Sequence, residues 1–272
     1  MALAAKQSQR AGKKMYQSNT LKKKLKAGNQ TAACWIFSNS SDMAEILAGA
    51  GFDALMIDHE HGSGSLMTAV DQHRAIRSVS DTTVLMRVPW NDTVLIKRAL
   101  DIGVEGIMIP SVNTGAEAEA AVQACRYPPD GIRSAGFGAA RAGGYGRTKQ
   151  EYLENLNKDL MIICQIETKE AVGNIEEIAA VDGVDMLFIG PYDLSGSIKK
   201  LGQFDDPEVK ALFEEARDKI IASPKSLGTI SSGIEQTNER FADGFDFVLC
   251  CGDTSLVSSA ADNLLANIRK AR

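Results

Sequence analysis

The sequence predicts a (β/α)8 barrel, an α/β fold built as a single domain. From residue 31 onward, short apolar runs typical of β-strands alternate with helical patterns, and eight such alternations fit into about 240 residues. The strand-like runs are almost continuously apolar, as expected where both faces of a parallel sheet are covered. The alternative, a doubly wound open sheet, normally has a Gly-rich first turn. The "GSGS" at residues 62–65 lacks the GxGxxG pattern, so we do not predict a dinucleotide site.

The eight predicted strands are taken in chain order. Each is a short run dominated by aliphatic, aromatic or sulfur-containing side chains, and each is followed by polar or turn-forming residues. They cover residues 31–37, 52–58, 83–88, 105–112, 161–167, 184–190, 226–231 and 245–251.

Helical patterns fill most of the intervals between these strands. Several begin with a residue whose side chain can accept a hydrogen bond from a first-turn N–H group. The candidate caps are Ser41, Ser65, Asp92 and either Asn113 or Thr114, and the predicted helices cover residues 41–50, 65–78, 93–102, 115–125, 169–180 and 207–222.

One interval departs from this rhythm. Residues 126–160, between the fourth and fifth strands, are rich in Pro, Gly and Arg. A long loop of this kind in a compact barrel is usually functional.

The charge is unevenly distributed. Residues 1–41 contain eight Lys or Arg and no Asp or Glu, whereas the whole chain has a net charge of −5. A basic arm on an acidic body would suit nucleic acid or an anionic membrane surface. We favour a solvated, partly disordered terminus and divide the chain into an N-terminal extension, residues 1–18, and a barrel, residues 19–272. A mitochondrial transit peptide is the weaker alternative, because the arm is Lys-rich rather than Arg-rich.

Cysteine usage and hydropathy bound the cellular setting. The five cysteines form an odd set without CxxC spacing, and four of them lie in apolar strand-like runs. This pattern argues against disulfides and a zinc site and favours a reducing compartment, so we expect a cytoplasmic protein. No apolar run approaches 18 residues, and no membrane partner is expected.

Acidic side chains close two neighbouring strands of the predicted barrel. The fifth strand ends in Glu167, and the sixth leads into "GPYD", which ends at Asp193. Reactive groups of a barrel gather at the carboxyl ends of its strands, so these two carboxylates could converge on one hard cation such as Mg²⁺ or Mn²⁺. The alternative is that each carboxylate caps the helix that follows it.

Further charged residues end the second and third strands. Arg87 would suit a substrate carboxylate or a developing enolate oxygen, unless it only forms a salt bridge in the barrel mouth. We predict that His61 is a general base whose ring is oriented by Asp58. Glu60 could hold a water at a metal from the second coordination shell. His59 would point to the opposite side of the strand and is taken as non-catalytic.

Five motifs in this order resemble one known family. The stretches "FDALMIDHEHG", "VLMRVPWND", "RYPPDGIRSAGFGAARA", "QIETKEAVGNIEEIAAVDGVD" and "FIGPYDLS" are similar to the class II pyruvate-dependent aldolases of the HpcH/HpaI family. The resemblance covers residues 19–270. It implies a (β/α)8 barrel that binds Mg²⁺, Mn²⁺ or Co²⁺ and cleaves 4-hydroxy-2-oxo acids to pyruvate and an aldehyde.

The resemblance also implies roles for individual residues. Glu167 and Asp193 would be the metal ligands, and Arg87 would contact the 2-oxo acid and stabilise the enolate. His61, supported by Asp58, would serve the acid–base step. Backbone groups around Gly190 and Pro191 would hold the pyruvate carboxylate, with Glu60 in the second shell. The family is further known for hexamers built as trimers of dimers, with an exchanged C-terminal helix and active sites completed by a neighbouring subunit.

One position departs from the family pattern. Phe137 stands where the well-studied aldolases carry a serine that contacts pyruvate, and a phenyl ring cannot donate that hydrogen bond. A reshaped pocket is therefore expected around Phe137.

The sequence "DHEHG" is also similar to macrophomate synthase, so an oxaloacetate decarboxylase or a macrophomate-synthase-like enzyme is the alternative activity. A non-enzymatic barrel that binds RNA or membrane through its basic arm is the third, and we expect no nucleic-acid partner.

Overall fold

A computed structural model describes residues 16–270 and confirms the closed barrel. Eight parallel strands are hydrogen-bonded in sequence order, and the eighth strand pairs with the first. The strands are β1 Thr31–Ile36, β2 Ala54–Asp58, β3 Thr83–Arg87, β4 Gly106–Ile109, β5 Met161–Ile166, β6 Met186–Ile189, β7 Ser226–Ile230 and β8 Phe247–Gly252.

Twelve α-helices and one 3₁₀-helix accompany these strands within the described residues. The α-helices are α1 Thr20–Lys26, α2 Ser41–Ala50, α3 Leu66–Val79, α4 Thr93–Ile102, α5 Gly115–Cys125, α6 Lys149–Asp159, α7 Lys169–Gly173, α8 Ile175–Ala180, α9 Pro191–Ser197, α10 Pro207–Ile221, α11 Gly233–Ala242 and α12 Asp253–Lys270. The 3₁₀-helix covers Arg141–Gly143. None of them is long and apolar enough to cross a bilayer.

Hydrogen-bonded side chains fix where several helices begin. Ser65, Asp92 and Thr114 accept bonds from first-turn N–H groups, as predicted, and Thr114 is the cap rather than Asn113. The prediction for α2 was wrong by one residue, because Ser40 and not Ser41 accepts the bond from Met43 N.

The strands separate two apolar layers because their side chains alternate in direction. One layer fills the barrel interior and includes Trp35, Met56, Met108, Phe188 and Phe247. The other lies between the strands and the surrounding helices and contains most of the buried Ile, Val, Leu and Ala residues. The barrel interior is therefore packed with apolar side chains. The charged residues Asp58, Arg87 and Glu167 lie at the carboxyl ends of their strands.

Helix α1 lies against the amino-terminal end of the barrel. Asn19 caps it by accepting a bond from Lys22 N at 2.8 Å, and the Asn19 amide donates to Glu105 O at 2.8 Å. The Lys22 ammonium donates to Leu160 O at 2.7 Å and lies 2.9 Å from the Asp185 carboxylate. The expectation of a solvated basic arm is therefore wrong for Lys22, which is buried. Most of the predicted extension, residues 1–15, lies outside the described residues.

The segment that follows α5 also lies at the amino-terminal end. Helix α5 returns from the top of β4 to the bottom of the barrel, so the loop begins there. Arg141 Nη1 donates to Ile102 O at 3.0 Å, and a Cβ at Gly103 would lie 3.2 Å from Ala142 Cα. Both contacts are to the end of α4, at the bottom of the barrel. The loop therefore begins away from this chain's own site, and its expected functional role stays a prediction.

Candidate active site

Asp58 and Arg87 form a buried ion pair at the carboxyl ends of two adjacent strands. The register of β2 and β3 sets the two residues side by side. Arg87 Nε donates to Asp58 Oδ1 at 2.7 Å, and Nη2 donates to Oδ2 at 2.8 Å. Asp58 is 0% exposed and Arg87 is 6% exposed. The two-point geometry holds the guanidinium in a single orientation.

Two further neighbours surround the same guanidinium. Glu60 Oε2 lies 2.9 Å from Arg87 Nη1, and the Trp35 ring lies under Arg87, with Cζ 4.3 Å from its centroid. Arginine has five N–H donors. The Asp58 carboxylate accepts hydrogen bonds from two of them, whereas the Glu60 contact is an ion pair in which Oε2 accepts no hydrogen bond from the described residues. Three N–H donors of Arg87 therefore remain for a ligand in the barrel mouth.

Glu167 is the most strongly perturbed carboxylate of this end. It is 4% exposed, and burial raises its pKa from the ordinary 4.5 to about 7. The hydrogen bond from Ser111 N lowers the pKa, whereas the negative charges of Glu60 and Asp193 raise it further.

Short polar contacts orient the Glu167 carboxylate. Ser111 donates to its Oε2 through the backbone N–H at 3.0 Å and through the hydroxyl at 3.3 Å, and the Gln165 amide donates to Oε1 at 2.5 Å. Ser111 has a φ of 52°, an uncommon left-handed conformation for a residue other than glycine. A Cβ at Gly190 would lie 2.6 Å from Glu167 Oε1, so only glycine leaves room for this carboxylate.

Asp193 lies in the first turn of α9 and is exposed to solvent. The preceding residues, Gly190 and Pro191, were predicted to hold the pyruvate carboxylate through backbone groups, but they have no free N–H donor for it. Gly190 N donates to Ile166 O at 3.1 Å, and Pro191 has no N–H group. The first-turn N–H groups of Tyr192 and Asp193 have no intrahelical partner, so they are the donors that could hold a carboxylate.

His61 is placed differently from the prediction. Asp58 Oδ2 accepts a bond from the His61 backbone N–H at 3.2 Å rather than from its ring. The His61 side chain is 63% exposed, and its Nε2 lies 3.8 Å from Glu60 Oε2. His59 is half-buried, and burial lowers the pKa of its ring. The expectation that Asp58 orients the His61 ring was therefore wrong, and Asp58 acts on Arg87 instead.

Phe137 lies away from these residues in the same chain. Its ring packs edge-on against Tyr127, with the centroids 5.4 Å apart, and Gly143 lies directly against its carbonyl. Tyr127 in turn lies under the guanidinium of the fully buried Arg133, which pairs with Asp101 near the end of α4. Phe137 therefore does not line the pocket of its own chain, and its predicted contact with substrate, in sites that a neighbouring subunit completes, stays a prediction.

Three residues that shape the site are not among those predicted from the sequence: Trp35, Ser111 and Gln165. A signal existed for Trp35 and Gln165, because both are large side chains at or near the top of a strand and could face inward by the alternation that places Arg87 and Glu167. No sequence signal identifies Ser111, because its contact depends on an unusual φ.

The donor set at this end suits a cation. Four carboxylates, of Asp58, Glu60, Glu167 and Asp193, share the electrostatic neighbourhood of one guanidinium, that of Arg87. Burial is the main cause of the raised pKa values of Glu60 and Glu167, and the negative charges of neighbouring carboxylates raise both pKa values further, a repulsion that a divalent ion would relieve. The Gln165 Oε1 atom is buried without a hydrogen-bond partner, which leaves room for the amide to reorient. Over residues 16–270, no group of three or more His, Cys, Asp or Glu side chains is placed to hold a metal ion.

Comparisons with known proteins point to one family. Residues 31–260 match the profile described as HpcH/HpaI aldolase/citrate lyase. A 4-hydroxy-2-oxo-heptane-1,7-dioate aldolase of Shigella boydii is 41% identical over 249 residues, which cover 91% of this chain and 94% of that protein. Similar proteins of the same name from Escherichia coli are also 41% identical.

Solved structures agree with this match. The crystal structure of an HpcH/HpaI aldolase/citrate lyase family protein from Burkholderia cenocepacia has a TM-score of 0.89 and 31% identity, and covers 93% of this chain and all of that one. Macrophomate synthase has a TM-score of 0.80 and 24% identity, with 98% of this chain and 97% of that chain covered. At that identity the likeness to macrophomate synthase concerns the fold alone.

Proposed function

Since this chain belongs to the HpcH/HpaI aldolase/citrate lyase family and is therefore a carbon–carbon lyase, we propose that it cleaves and forms the C3–C4 bond of 4-hydroxy-2-oxo acids, with pyruvate and an aldehyde as the other reactants. The observation that carries this proposal is the clamped Arg87 guanidinium, which lies in the same barrel mouth as the buried Glu167 carboxylate. Cleavage beside a ketone leaves an enolate, and a fixed positive group stabilises that charge.

The family generally depends on a divalent metal ion, and we propose that Glu167 and Asp193 hold it here. One or two carboxylates with open positions for water and substrate suit Mg²⁺ or Mn²⁺, with Co²⁺ as a third option. When bound, the ion supplies Lewis-acid polarisation of the 2-oxo group. Gln165 and Ser111 support this assignment because they hold the Glu167 carboxylate in place.

The remaining groups act directly on the substrate. Arg87 directs its unused N–H donors at the oxygen on which negative charge develops. His61 accepts the 4-hydroxyl proton during cleavage and returns it during addition. The first-turn N–H groups after Pro191 hold the pyruvate carboxylate. Glu60 keeps Arg87 in place from the side opposite Asp58 and screens its charge.

Oxaloacetate decarboxylation is the second candidate activity. Loss of CO₂ from oxaloacetate forms the same enolate beside the same Arg87, and oxaloacetate has no 4-hydroxyl proton to remove. The exposed position of the His61 ring favours this candidate, because decarboxylation does not need His61 as a general base.

One experiment tests both reactions. Pyruvate release is measured from a 4-hydroxy-2-oxo acid and from oxaloacetate, with a chelator and after readdition of Mg²⁺ or Mn²⁺. Metal-dependent pyruvate from the hydroxy-oxo acid is expected. Metal-dependent pyruvate from oxaloacetate alone would favour the second candidate, and full activity in the presence of chelator would contradict both.

We also propose that the chain forms a homo-oligomer, a hexamer arranged as a trimer of dimers. Two features support this. Helix α12 carries exposed apolar side chains on a surface that a second copy could cover, with Leu264 62% exposed. Phe137, at the far end of its own barrel, could then contact the site of a neighbour. Light scattering at several protein concentrations tests the proposal, and a monomer at all of them would contradict it.

We further propose a cytoplasmic location. All five cysteines are free thiols, which suits a reducing compartment. Cell fractionation tests this, and recovery from mitochondria would contradict it.

A further inference from the structure

A cavity of about 520 Å³ lies on the outside of the barrel wall, between α10 and α11. We call it the lateral cavity. Its lining includes Tyr192, Phe204, Phe213, Ser231, Gln236 and Arg240. The volume falls within the range of about 300–1,000 Å³ that is usual for sites of small organic molecules.

The upper end of the lateral cavity opens beside the candidate active site. Pro191 and Tyr192 line it, and they immediately precede Asp193 in the first turn of α9. Ile230 lines it as well, although its side chain packs against the core of the barrel interior. A molecule bound at Asp193 therefore lies next to the entrance of the cavity.

Aromatic rings form the wall at this entrance. The rings of Tyr192 and Phe204 meet edge to face, with their centroids 4.9 Å apart. The Ser195 hydroxyl donates to Tyr192 O at 2.6 Å and accepts a bond from Gly202 N at 2.9 Å, which ties the loop before Phe204 to α9. The pair is thus in place before any ligand arrives, and such apolar walls bind hydrocarbon groups at little ordering cost.

The far end of the lateral cavity combines an apolar wall with charges of both signs. The Arg240 guanidinium lies over the Phe213 ring at 4.6 Å, and its Nη1 is 3.7 Å from Asp243, beyond hydrogen-bond distance. Glu239 and Asp243 line the same end. Since this end contains both cationic and anionic side chains, it does not select ligands by net charge. The hydrophobic entrance therefore determines which kind of chemical group enters the cavity.

We propose that the lateral cavity receives the body of the aldehyde, and that this aldehyde carries an aromatic ring or a long aliphatic chain. The inference rests on the proposed aldol chemistry and names the class of its second substrate. The carbonyl carbon of the aldehyde meets the enolate beside Asp193, and the rest of the molecule passes Tyr192 and Phe204 into the cavity. No additional reactant is required, because the bond that forms is the C3–C4 bond of the product.

The test blocks the cavity from an exposed position of α11. Glu235 lines the cavity and Asn238 does not, although both are exposed on the same helix. The variants Glu235→Trp and Asn238→Trp therefore add the same side chain inside and outside the cavity. The kcat/KM of aldol addition to pyruvate is measured with glycolaldehyde and with 3-phenylpropanal. Each value is divided by the rate of oxaloacetate decarboxylation of the same preparation, which needs no aldehyde.

The wild type should prefer 3-phenylpropanal over glycolaldehyde by about tenfold or more, because each buried methylene group adds a factor of about four. Glu235→Trp should reduce this preference about tenfold, and Asn238→Trp should leave it unchanged. Equal use of the two aldehydes by the wild type, or the same preference in both variants, would overturn the assignment of the cavity. A wild type that decarboxylates oxaloacetate but adds to neither aldehyde would instead contradict the proposed aldol function, and the assignment with it.

Discussion

Replacement of Glu167 by glutamine should make the metal-free protein more stable at pH 8 and abolish its activity. Glu167 is almost fully buried, and burial together with the charges of Glu60 and Asp193 raises its pKa from 4.5 to about 7. Above pH 7 the folded protein must hold an ionised carboxylate in surroundings that disfavour it. Glutamine keeps the shape of the side chain without the charge.

The size of the effect follows from the pKa. A folded-state pKa of about 7 against 4.5 is a difference of about 2.5 units, equivalent to about 3 kcal/mol at about 1.4 kcal/mol per unit. Because the raised pKa belongs to an acid, the folded state binds more protons than the unfolded state between pH 4.5 and 7. The stability of the metal-free wild type therefore falls by up to about 3 kcal/mol as the pH rises through this window, and the variant lacks this fall.

Glutamine can also be accommodated by the neighbouring groups. Its carbonyl oxygen can accept the bonds from Ser111, as the carboxylate does. The NH₂ group of the new glutamine would face the NH₂ group of Gln165, which now donates to Glu167 Oε1. Since Gln165 Oε1 is buried without a hydrogen-bond partner, the Gln165 amide can flip and present this oxygen as the acceptor. We therefore expect no new unsatisfied group to offset the gain.

Urea unfolding in the presence of a chelator, at pH 8 and at pH 5, measures the effect. The variant should exceed the wild type at pH 8 by up to about 3 kcal/mol more than at pH 5. Glu170→Gln, the same change at an exposed position three residues later, should alter stability by no more than about 0.5 kcal/mol at either pH. Added Mg²⁺ or Mn²⁺ should stabilise the wild type, by about 2.7 kcal/mol at a hundredfold excess over Kd, and should not stabilise Glu167→Gln.

Two outcomes would refute the reasoning. If the difference between Glu167→Gln and the wild type did not change between pH 5 and pH 8, Glu167 would not carry a destabilised charge. If metal ions stabilised the variant as much as the wild type, Glu167 would not be a ligand, whatever the variant's activity.

Three further predictions concern other charged residues. Asp58→Asn should destabilise the protein by about 3–5 kcal/mol in urea unfolding, because Arg87 is then left buried without its ionic partner; a loss below 1 kcal/mol would contradict this. Arg133→Leu should lower stability by about 1–3 kcal/mol, because the Asp101 carboxylate and the Tyr152 hydroxyl lose their hydrogen bonds from a fully buried guanidinium, and a calorimetric Tm equal to that of the wild type would count against it. His61→Ala should change stability by less than about 0.5 kcal/mol, since the ring is exposed. It should lower retro-aldol kcat at least 100-fold while retaining oxaloacetate decarboxylation, and equal loss of both rates would exclude a role as base for the 4-hydroxyl.

The strands and their ends were accessible from the sequence because apolar runs and the barrel rule depend on local composition. Glu167, Asp193, Arg87 and Asp58 were found in this way, and the structure places all four at the carboxyl end of the barrel. Helix α1 was missed for the opposite reason. Its sequence "TLKKKLK" is mostly Lys, and the contacts that bury Lys22 come from residues more than 130 positions later in the chain.

The position of residues 126–160 at the amino-terminal end of the barrel could have been derived from the sequence. The segment follows a helix, and in a barrel a helix returns to the amino-terminal end. Only the loops that follow strands lie beside the site. The Pro, Gly and Arg content identifies the segment as a loop, whereas the position of Cys125 at the end of α5 determines on which side of the barrel the loop begins.

The partner of Asp58 shows a different limit. The spacing of three residues suggested that Asp58 contacts the ring of His61, because a sequence shows directly only which residues are neighbours along the chain. The register between β2 and β3 instead sets Asp58 beside Arg87, 29 positions later, and strand register emerges only from the assembled barrel.

This pairing changes the role of Asp58 in the chemistry. A carboxylate that oriented the His61 ring would affect only the proton transfer, and so only the cleavage of hydroxy-oxo acids. A carboxylate that fixes the Arg87 guanidinium affects every reaction that passes through the enolate. It also keeps the charge oriented before substrate binds, so that no reorganisation is needed when negative charge develops. Trp35 and Glu60 restrict the same group from its other sides. In the proposed chemistry, breaking the buried Asp58–Arg87 pair would therefore both destabilise the barrel and remove the preorganisation of the site, and both consequences follow from the register of two strands.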